Sequence, residues 1–276
     1  MITYDPKRWL RTFTELPRSP VFRLLFLDVV LAGLYAAAVV WAERRHPELS
    51  MPLGPEMLSM LGVILGLVLV FRTNTSYDRW WEGRRVWGQL VNISRSLARQ
   101  LDAMLPRDAG AAARRERYVA LLSRYPVALM EHLRVNDPAS RHEPNEVLSE
   151  LVRDVHADIA AGRLPHEAIK SLTPLLSAFD DVCGACERIR RTPIPYSYSA
   201  YVKQFILLYA LVIPFSLADR FGYGAVIAEM FIFFSTMGLE LLATEVEEPF
   251  GTDRNDLPLE GLSATIARDV RVALPA

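Results

Sequence analysis

The residues best suited to holding a metal ion form one acidic stretch near the C-terminal end. Carboxylates recur there at short intervals, at Glu245, Glu247, Glu248, Asp253, Asp256 and Glu260. Calcium takes six to eight oxygen ligands, so such a run is a candidate calcium site. Arg254 interrupts the run, however, and charge runs are usually solvated or paired with arginines such as those between Arg79 and Arg85. We therefore predict no metal site.

The cysteines and histidines show no catalytic pattern. Cys183 and Cys186 form Cys-x-x-Cys, but a thioredoxin-like reading needs a βαβ pattern that the sequence lacks, so two thiols on a helix are expected. Histidines at 46, 132, 142, 156 and 166 lack the spacing of a metal-binding pair. Without a nucleophile and base pair or a phosphate loop, we predict neither an enzyme nor a cofactor.

One apolar stretch has a spacing suited to moving ions. Val63, Leu67 and Phe71 stand four residues apart and share one stripe of a helix, beside a stripe containing Gly62 and Gly66. The glycines permit close helix approach, and the bulky stripe would line a narrow apolar throat if several copies formed a ring. The alternative is that this stripe faces lipid or the core of a helix bundle.

Four apolar segments must position this stripe. The chain has 276 residues, of which 51% are hydrophobic and 23% charged, which favours membrane helices joined to an aqueous part. Crossing about 30 Å of hydrocarbon takes roughly 20 apolar residues. Segments 21–42, 52–71, 201–217 and 225–243 meet this requirement, and the sequence ADRFGYG between the last two predicts a tight reversal.

The middle of the chain, 72–199, is charged and has helical periodicity, which predicts an aqueous helical region. Prolines are expected to interrupt its helices at Pro106, Pro126, Pro138, Pro144, Pro165 and Pro174. The predicted division is an N-terminal segment 1–20, a membrane hairpin 21–71, the helical region 72–199, a second membrane hairpin 200–243 and an acidic segment 244–276.

Basic residues predict the orientation. They lie before the first apolar segment and after the second, at Lys7, Arg8, Arg11, Arg18, Arg23, Arg72, Arg79, Arg84 and Arg85. Short loops rich in Lys and Arg stay in the cytoplasm, so a multi-pass protein with cytoplasmic termini and a cytosolic helical region is expected. The net charge of −1 argues against nucleic acid as a partner.

The segment that follows the apolar stripe resembles a known family. The run FRTNTSYDRWWEGRRVWGQL contains Arg72, Asn74, Arg79, Trp80, Trp81 and Glu82. These residues resemble the signature of the bestrophin family in its bacterial form. The resemblance extends to CGACERIRRTPIPYSYSAYVKQF and to EEPFGTDRNDLPLEG, so it covers nearly the whole chain in the same order.

This resemblance implies an all-α channel subunit with four transmembrane helices and a cytosolic helical region. It implies a homopentamer in a bacterial inner membrane, with a pore neck at Val63, Leu67 and Phe71 and a cytosolic constriction near Ile169. Bacterial relatives favour sodium and other monovalent cations, and eukaryotic ones pass chloride. We therefore expect sodium conduction, with a chloride channel as the alternative.

The resemblance also bears on the acidic stretch. In eukaryotic bestrophins this stretch forms a calcium clasp, whose aspartates correspond to Asp253 and Asp256. Glu248 stands where the family has a ligating Asn, which agrees with the prediction of no metal site.

Two other functions were considered for a membrane protein of this kind. A secondary transporter would show inverted repeats that this chain lacks, and a non-conducting membrane scaffold is left as a further alternative.

Overall fold

The computed structural model describes residues 20–49, 54–108, 110–135 and 142–275, and these ranges contain helices and no strand. Residues 1–19 of the predicted N-terminal segment 1–20, and Pro138, lie outside them. The α-helices in the described ranges are α1 Pro20–Arg45, α2 Pro55–Met104, α3 Ala111–Arg134, α4 Glu143–Ala160, α5 Ala168–Arg191, α6 Tyr196–Phe221, α7 Gly224–Glu247 and α8 Leu259–Ala273. A short 3₁₀ helix, Pro47–Leu49, follows α1.

Four of these helices are long and apolar enough to cross a membrane. They are Leu25–Arg45, Glu56–Met104, Tyr196–Phe221 and Gly224–Glu247. Each overlaps one of the four apolar segments predicted from the sequence, and the last two contain their segments completely. The expected reversal between the last two lies at Gly222, whose φ of 55° is a left-handed conformation that favours glycine. The prediction of an all-α chain with four apolar helices is confirmed.

Helix α2 is 50 residues long and changes character along its length. Pro55 and Glu56 occupy its first turn, where the fixed φ of proline and a negative charge both favour a helix start. The helix continues past Phe71 without a break. Its second half buries Trp87, Leu90, Leu97 and Leu101, whose spacing of three, four and seven residues makes one apolar face.

The chain divides into two compact units. Of the described residues, the first contains those from Arg79 to Pro193 and from Glu248 onward, and the second contains those up to Asp78 and from Ile194 to Glu247. The first unit has one continuous core, to which α3, α4, α5, α8 and the second half of α2 contribute. The buried residues of α5 recur at helical spacing and include Leu172, Leu176, Phe179 and Cys186. This unit therefore resembles a soluble helical domain in its packing.

The second unit has smaller buried clusters and a largely apolar surface. Leu65 and Leu69 of α2 pack against Val202 and Ile206 of α6. Helix α7 packs against both α1 and α6. Many large apolar side chains of this unit are exposed, among them Phe26, Leu31, Leu208 and Phe231. Such a surface is expected of helices that meet lipid or other subunits.

Two prolines were predicted wrongly to interrupt helices. Pro126 lies inside α3 and Pro174 inside α5. A proline removes one backbone hydrogen bond and clashes with the preceding turn. Both helices nevertheless continue, because residues on either side, such as Tyr125 and Leu129, are held in the core of the first unit. Pro144 instead stands at the start of α4, where proline is favoured.

Candidate functional site

The predicted neck residues form an exposed apolar face of α2. Val63, Leu67 and Phe71 are 72%, 56% and 58% exposed, whereas Leu65 and Leu69 on the opposite face are almost fully buried. The stripe therefore does not belong to the core of its own chain, which removes one of the alternatives considered for it. The exposed side chains of the stripe are therefore available for contact with lipid, water or a neighbouring subunit.

The two glycines of the adjacent stripe have different surroundings. A Cβ added at Gly62 would lie 2.7 Å from the hydroxyl oxygen of Tyr209 on α6, so this glycine permits close packing within the chain. A Cβ added at Gly66 would meet nothing within 4 Å. Gly66 therefore leaves space at which a helix of another subunit could approach.

Arg72 follows the neck and turns its side chain into the second unit, where it is 1% exposed. Its Nε lies 3.2 Å from Oε2 of Glu240, and its Nη2 lies 2.9 Å from Oε2 of Glu247. It also donates hydrogen bonds to the hydroxyl oxygens of Ser76 and Thr244. Charge-assisted bonds of this kind compensate a buried guanidinium and hold α2 against α7.

Glu247 has a second role beside its ion pair with Arg72. Its Oε1 accepts a hydrogen bond of 2.8 Å from the backbone N–H of Ile194. Ile194 lies in the short connection that precedes α6. One carboxylate therefore joins the end of α7, the start of α6 and the part of α2 that directly follows the neck.

Polar and acidic side chains extend the neck face at both ends. Glu56 lies seven residues before Val63. Asn74 lies seven residues after Leu67, and Asp78 lies seven residues after Phe71. Seven residues are close to two helical turns, so these positions share the face. All three are exposed. The neck face is therefore apolar at its centre and carries a carboxylate at each end.

The next part of the signature anchors α2 inside the first unit. Arg79 donates hydrogen bonds to the carbonyl oxygens of Ile189, at 2.7 Å, and of Thr192. These carbonyls lie at the end of α5, where a positive charge is favoured by the helix dipole. Glu82 pairs with Arg188 of the same helix at 2.6 Å. The two residues thus attach α2 to the C-terminal turn of α5.

The two tryptophans differ in their environment. Trp80 donates a hydrogen bond of 3.0 Å from its indole N–H to the carbonyl oxygen of Asn255, in the loop before α8. Trp81 is 46% exposed. The position of Trp80 links α2 to the acidic loop, whereas Trp81 has its ring on the surface of the chain.

Two acidic residues, Asp256 in that loop and Glu260 just after it, have partners in the protein. Oδ2 of Asp256 accepts a hydrogen bond of 2.6 Å from the backbone N–H of Asp253, which closes a turn. Glu260 pairs with Arg134 at 2.6 Å, and this hydrogen bond holds the pKa of the Glu260 carboxyl below its ordinary value of 4.5. These contacts occupy carboxylate oxygens that a calcium ion would need.

A cavity of about 260 Å³ lies beside the same loop. Arg134 donates to the carbonyl oxygens of Phe250 and Gly251, and Arg190 donates to that of His132. Arg79 and Glu248 complete its charged lining. The guanidinium groups act here chiefly as donors to backbone carbonyls, and Arg134 is the one that holds the loop in place.

Ile169, the predicted cytosolic constriction, is the second residue of α5 and is partly buried. It belongs to the first unit, whereas the neck belongs to the second. Its role as a constriction stays a prediction.

Sequence reasoning missed the carboxylates that compensate Arg72. Glu247 was assigned to the acidic stretch, and neither it nor Glu240 was predicted as the partner of an arginine 175 or 168 residues earlier. A usable signal existed, because an ionisable group in an apolar segment requires a partner of opposite charge.

Comparison with known proteins gives a consistent result. The sequence model of the family described as bacterial/fungal bestrophin protein matches residues 1–272. A voltage-dependent anion channel-forming protein from Nostoc sp. is 31% identical over 98% of this chain and 92% of its own length. One from Escherichia coli K12 is 30% identical, over 98% of this chain and 93% of its own.

Solved structures agree with these sequence matches. A bacterial bestrophin homologue from Klebsiella pneumoniae superposes with a TM-score of 0.83 and is 27% identical. The match covers 90% of this chain and 98% of that structure. Together with the four apolar helices, these similarities identify a membrane protein of a channel-forming family. The chain belongs to the bacterial and fungal bestrophin family.

Proposed function

We propose that this chain is a subunit of an ion channel whose narrow neck is lined by Val63, Leu67 and Phe71 of α2. The observation that carries the proposal is the exposure of this apolar stripe in a helix whose opposite face is buried in its own chain. An apolar ring of this kind holds water poorly and can gate ion flow by dewetting.

A ring of these apolar side chains requires several copies of the chain. A homopentamer is the assembly that the family resemblance implies. The open space at Gly66 supports close approach of a neighbouring subunit beside the neck stripe. The anchoring of α2 by Arg72 supports the same arrangement, because a pore-lining helix must hold its rotation. We place the assembly in the bacterial inner membrane with both termini in the cytoplasm, as the basic residues predict.

We propose further that the channel prefers small monovalent cations such as sodium. Glu56 and Asp78 lie at the two ends of the neck face and are both exposed. Arg72, the basic residue between them on α2, is buried against Glu240 and Glu247. Rings of carboxylates at the mouths of a pore raise the local concentration of cations and repel anions.

The alternative is an anion channel of the same architecture. The names of the relatives from Nostoc sp. and Escherichia coli describe anion channel-forming proteins, and this supports the alternative. A neck without charged side chains does not itself select by the sign of the ion. Selectivity then depends on charges outside the neck.

Reversal potentials decide between the two ions. Purified protein in a planar bilayer under a sodium chloride gradient should reverse near the sodium potential, and reversal near the chloride potential would establish the anion alternative. The variant Glu56→Gln/Asp78→Asn should shift the reversal potential toward chloride. Glu116→Gln, an exposed carboxylate of α3, should leave it unchanged. A wild-type protein without current would contradict the channel proposal.

A further inference from the structure

Two histidines and a glutamate from three different segments meet in the first unit. His132 lies in the last turn of α3, His142 is the N-cap residue of α4, and Glu187 lies in the second half of α5. Nε2 of His132 and Nε2 of His142 lie 2.8 Å and 2.9 Å from the same carboxylate oxygen, Oε1 of Glu187. The two imidazole rings are 4.2 Å apart between centroids.

This arrangement has the composition and size of a transition-metal site. One ligand atom from each residue lies within 4.8 Å of the others. Zinc takes imidazole nitrogen at about 2.0 Å and carboxylate oxygen at about 2.1 Å, and two histidines with one glutamate form a known type of zinc ligand set. Calcium and magnesium prefer oxygen ligands alone, so imidazole nitrogens favour zinc and similar ions.

The cluster is accessible to an ion from solution. The side chains of His132, His142 and Glu187 are 12%, 33% and 20% exposed. They are therefore sheltered enough to hold their geometry and open enough for an ion to enter with a bound water. We propose that His132, His142 and Glu187 bind one divalent transition-metal ion of the zinc class per chain, with the fourth position open to water.

Coordination would exchange hydrogen bonds for metal bonds. In the cluster as it stands, each Nε2 shares a proton with Oε1 of Glu187, and zinc would take the place of these protons. Burial alone would raise the pKa of the Glu187 carboxyl, but hydrogen bonds from the two histidines and the charge of Arg191 hold it below its ordinary value. Glu187 therefore stays an anion, as a metal ligand must.

Two features weaken the affinity to be expected. Arg191 lies 3.7 Å from Oε1 of Glu187 and competes with a cation for the carboxylate. His142 also accepts a long hydrogen bond of 3.3 Å at Nδ1 from the backbone N–H of Asn145. A metal at Nε2 would move the ring proton to Nδ1 and break this cap, at a cost of roughly fivefold in affinity. We expect binding at low-micromolar zinc.

Binding would have a structural effect at the end of α3. Arg190 of α5 already donates hydrogen bonds to the carbonyl oxygens of His132 and Val135. A metal shared by His132, His142 and Glu187 would add a second attachment of α5 to the last turn of α3, and would attach α5 to the start of α4. The cluster could not be predicted from sequence spacing, because His142 lies ten residues after His132 and Glu187 lies a further 45 residues along the chain.

The test uses the full-length protein in detergent, with any affinity tag removed and metal stripped by a chelator. Zinc is titrated against a chromophoric chelator, and cobalt is used as a spectroscopic substitute. We expect one zinc ion per chain and the visible absorption of a cobalt ion with nitrogen and oxygen ligands. Affinity should fall as the pH is lowered, because a histidine nitrogen must be free of its proton to bind the metal.

The variant His142→Asn is the most informative, since asparagine is a good N-cap residue and keeps α4 capped while the imidazole is lost. It should weaken zinc binding by about tenfold or more. Glu187→Gln should weaken zinc binding to a similar degree. His166 is an exposed histidine outside the cluster, so the control variant His166→Asn should bind zinc as the wild-type protein does. Circular dichroism of each variant verifies the helical fold.

Two results would overturn the proposal: less than one zinc ion per chain in the wild-type protein, or unchanged affinity in His142→Asn. The measurement does not depend on ion flux. A failure of the metal site and a failure of the channel are therefore distinguishable.

Discussion

Arg72 and Glu240 form a buried ion pair, in which Nε of the arginine lies 3.2 Å from Oε2 of the glutamate. The two side chains are 1% and 0% exposed. Arg72 follows Phe71 in the sequence, so the pair lies one residue beyond the apolar stripe. An arginine held at a fixed position restricts the rotation of its helix, so the pair favours, together with the packing of Leu65 and Leu69, the rotation that leaves the stripe exposed.

Removing Arg72 should destabilise the protein strongly. Arg72→Met leaves Glu240 buried without its positive partner, and breaking a buried pair in this way typically costs about 3–5 kcal/mol. We expect a large fall in the thermal midpoint in detergent, measured by circular dichroism. Glu240→Leu in the Arg72→Met background should restore part of the loss, because the charge of Glu240 is removed while that of Glu247, the second partner of Arg72, stays.

A matched control comes from an exposed pair in the first unit. Nη2 of Arg271 lies 3.5 Å from Oε1 of Glu116, and both side chains are more than half exposed. Exposed pairs contribute about 0–1 kcal/mol, so Glu116→Gln should leave the midpoint almost unchanged. Equal losses in Arg72→Met and Glu116→Gln would show that the buried pair has no special role.

A polar side chain in the neck should increase ion flow. Leu67→Ser puts a hydroxyl group at the centre of the apolar stripe, where water is expected to be held poorly. Because Leu67 is exposed in its own chain, the change should affect the fold little. We expect the current through a planar bilayer to rise several-fold without a shift in reversal potential.

The control for this variant is Leu208→Ser. Leu208 is a similarly exposed leucine of α6, outside the proposed neck. It should conduct as the wild type does. If both substitutions raise the current, or neither does, the assignment of the neck to the stripe of Leu67 is wrong.

The two cysteines should be unreactive in the folded protein. Cys183 and Cys186 are free and buried in the core of the first unit. Burial raises the pKa of the Cys183 thiol to about 12 and also raises the pKa of Cys186. Since the thiolate is the reactive form, Ellman's reagent at about pH 8 should label neither until the protein is unfolded, when both react.

Val272→Cys provides the positive control, because Val272 is 76% exposed on α8. Its thiol should react within the dead time of manual mixing, whereas the native pair does not. Rapid labelling of the wild-type protein would mean that α5 opens easily, and it would revive a redox role for the Cys-x-x-Cys sequence.

Local pattern was sufficient to predict the four apolar helices and the reversal at Gly222. Both depend on residues close together in the sequence, as does the stripe of Val63, Leu67 and Phe71. The partners of Arg72 and the cluster of His132, His142 and Glu187 depend on packing between distant segments, which a single sequence does not specify. Pro126 and Pro174 show the same limit, since tertiary packing overrode a local signal that favours a helix end.

Acid should weaken the attachment of α8 to α2 inside the first unit. Nε of Arg95 donates a hydrogen bond of 2.8 Å to Oδ2 of Asp269, and a second guanidinium nitrogen contacts the same oxygen. This bonding, more than the neighbouring Arg268, holds the pKa of the Asp269 carboxyl below its ordinary value of 3.8. The folded state therefore favours the ionised carboxylate. Its contribution to stability is fully present above pH 3.8 and is lost as the pH falls through the lower folded value.

The thermal midpoint between about pH 5 and about pH 2.5 measures this contribution. Asp269→Asn cannot lose a charge at this position, so its midpoint should fall less steeply with acid than that of the wild-type protein. Arg95→Met removes the donor and should flatten the profile in the same way, because the carboxyl then titrates similarly in the folded and unfolded states. If the thermal midpoint of both variants fell with acid as steeply as that of the wild-type protein, Asp269 would add nothing to acid sensitivity. Other carboxylates, such as Glu260 beside Arg134, would then be responsible.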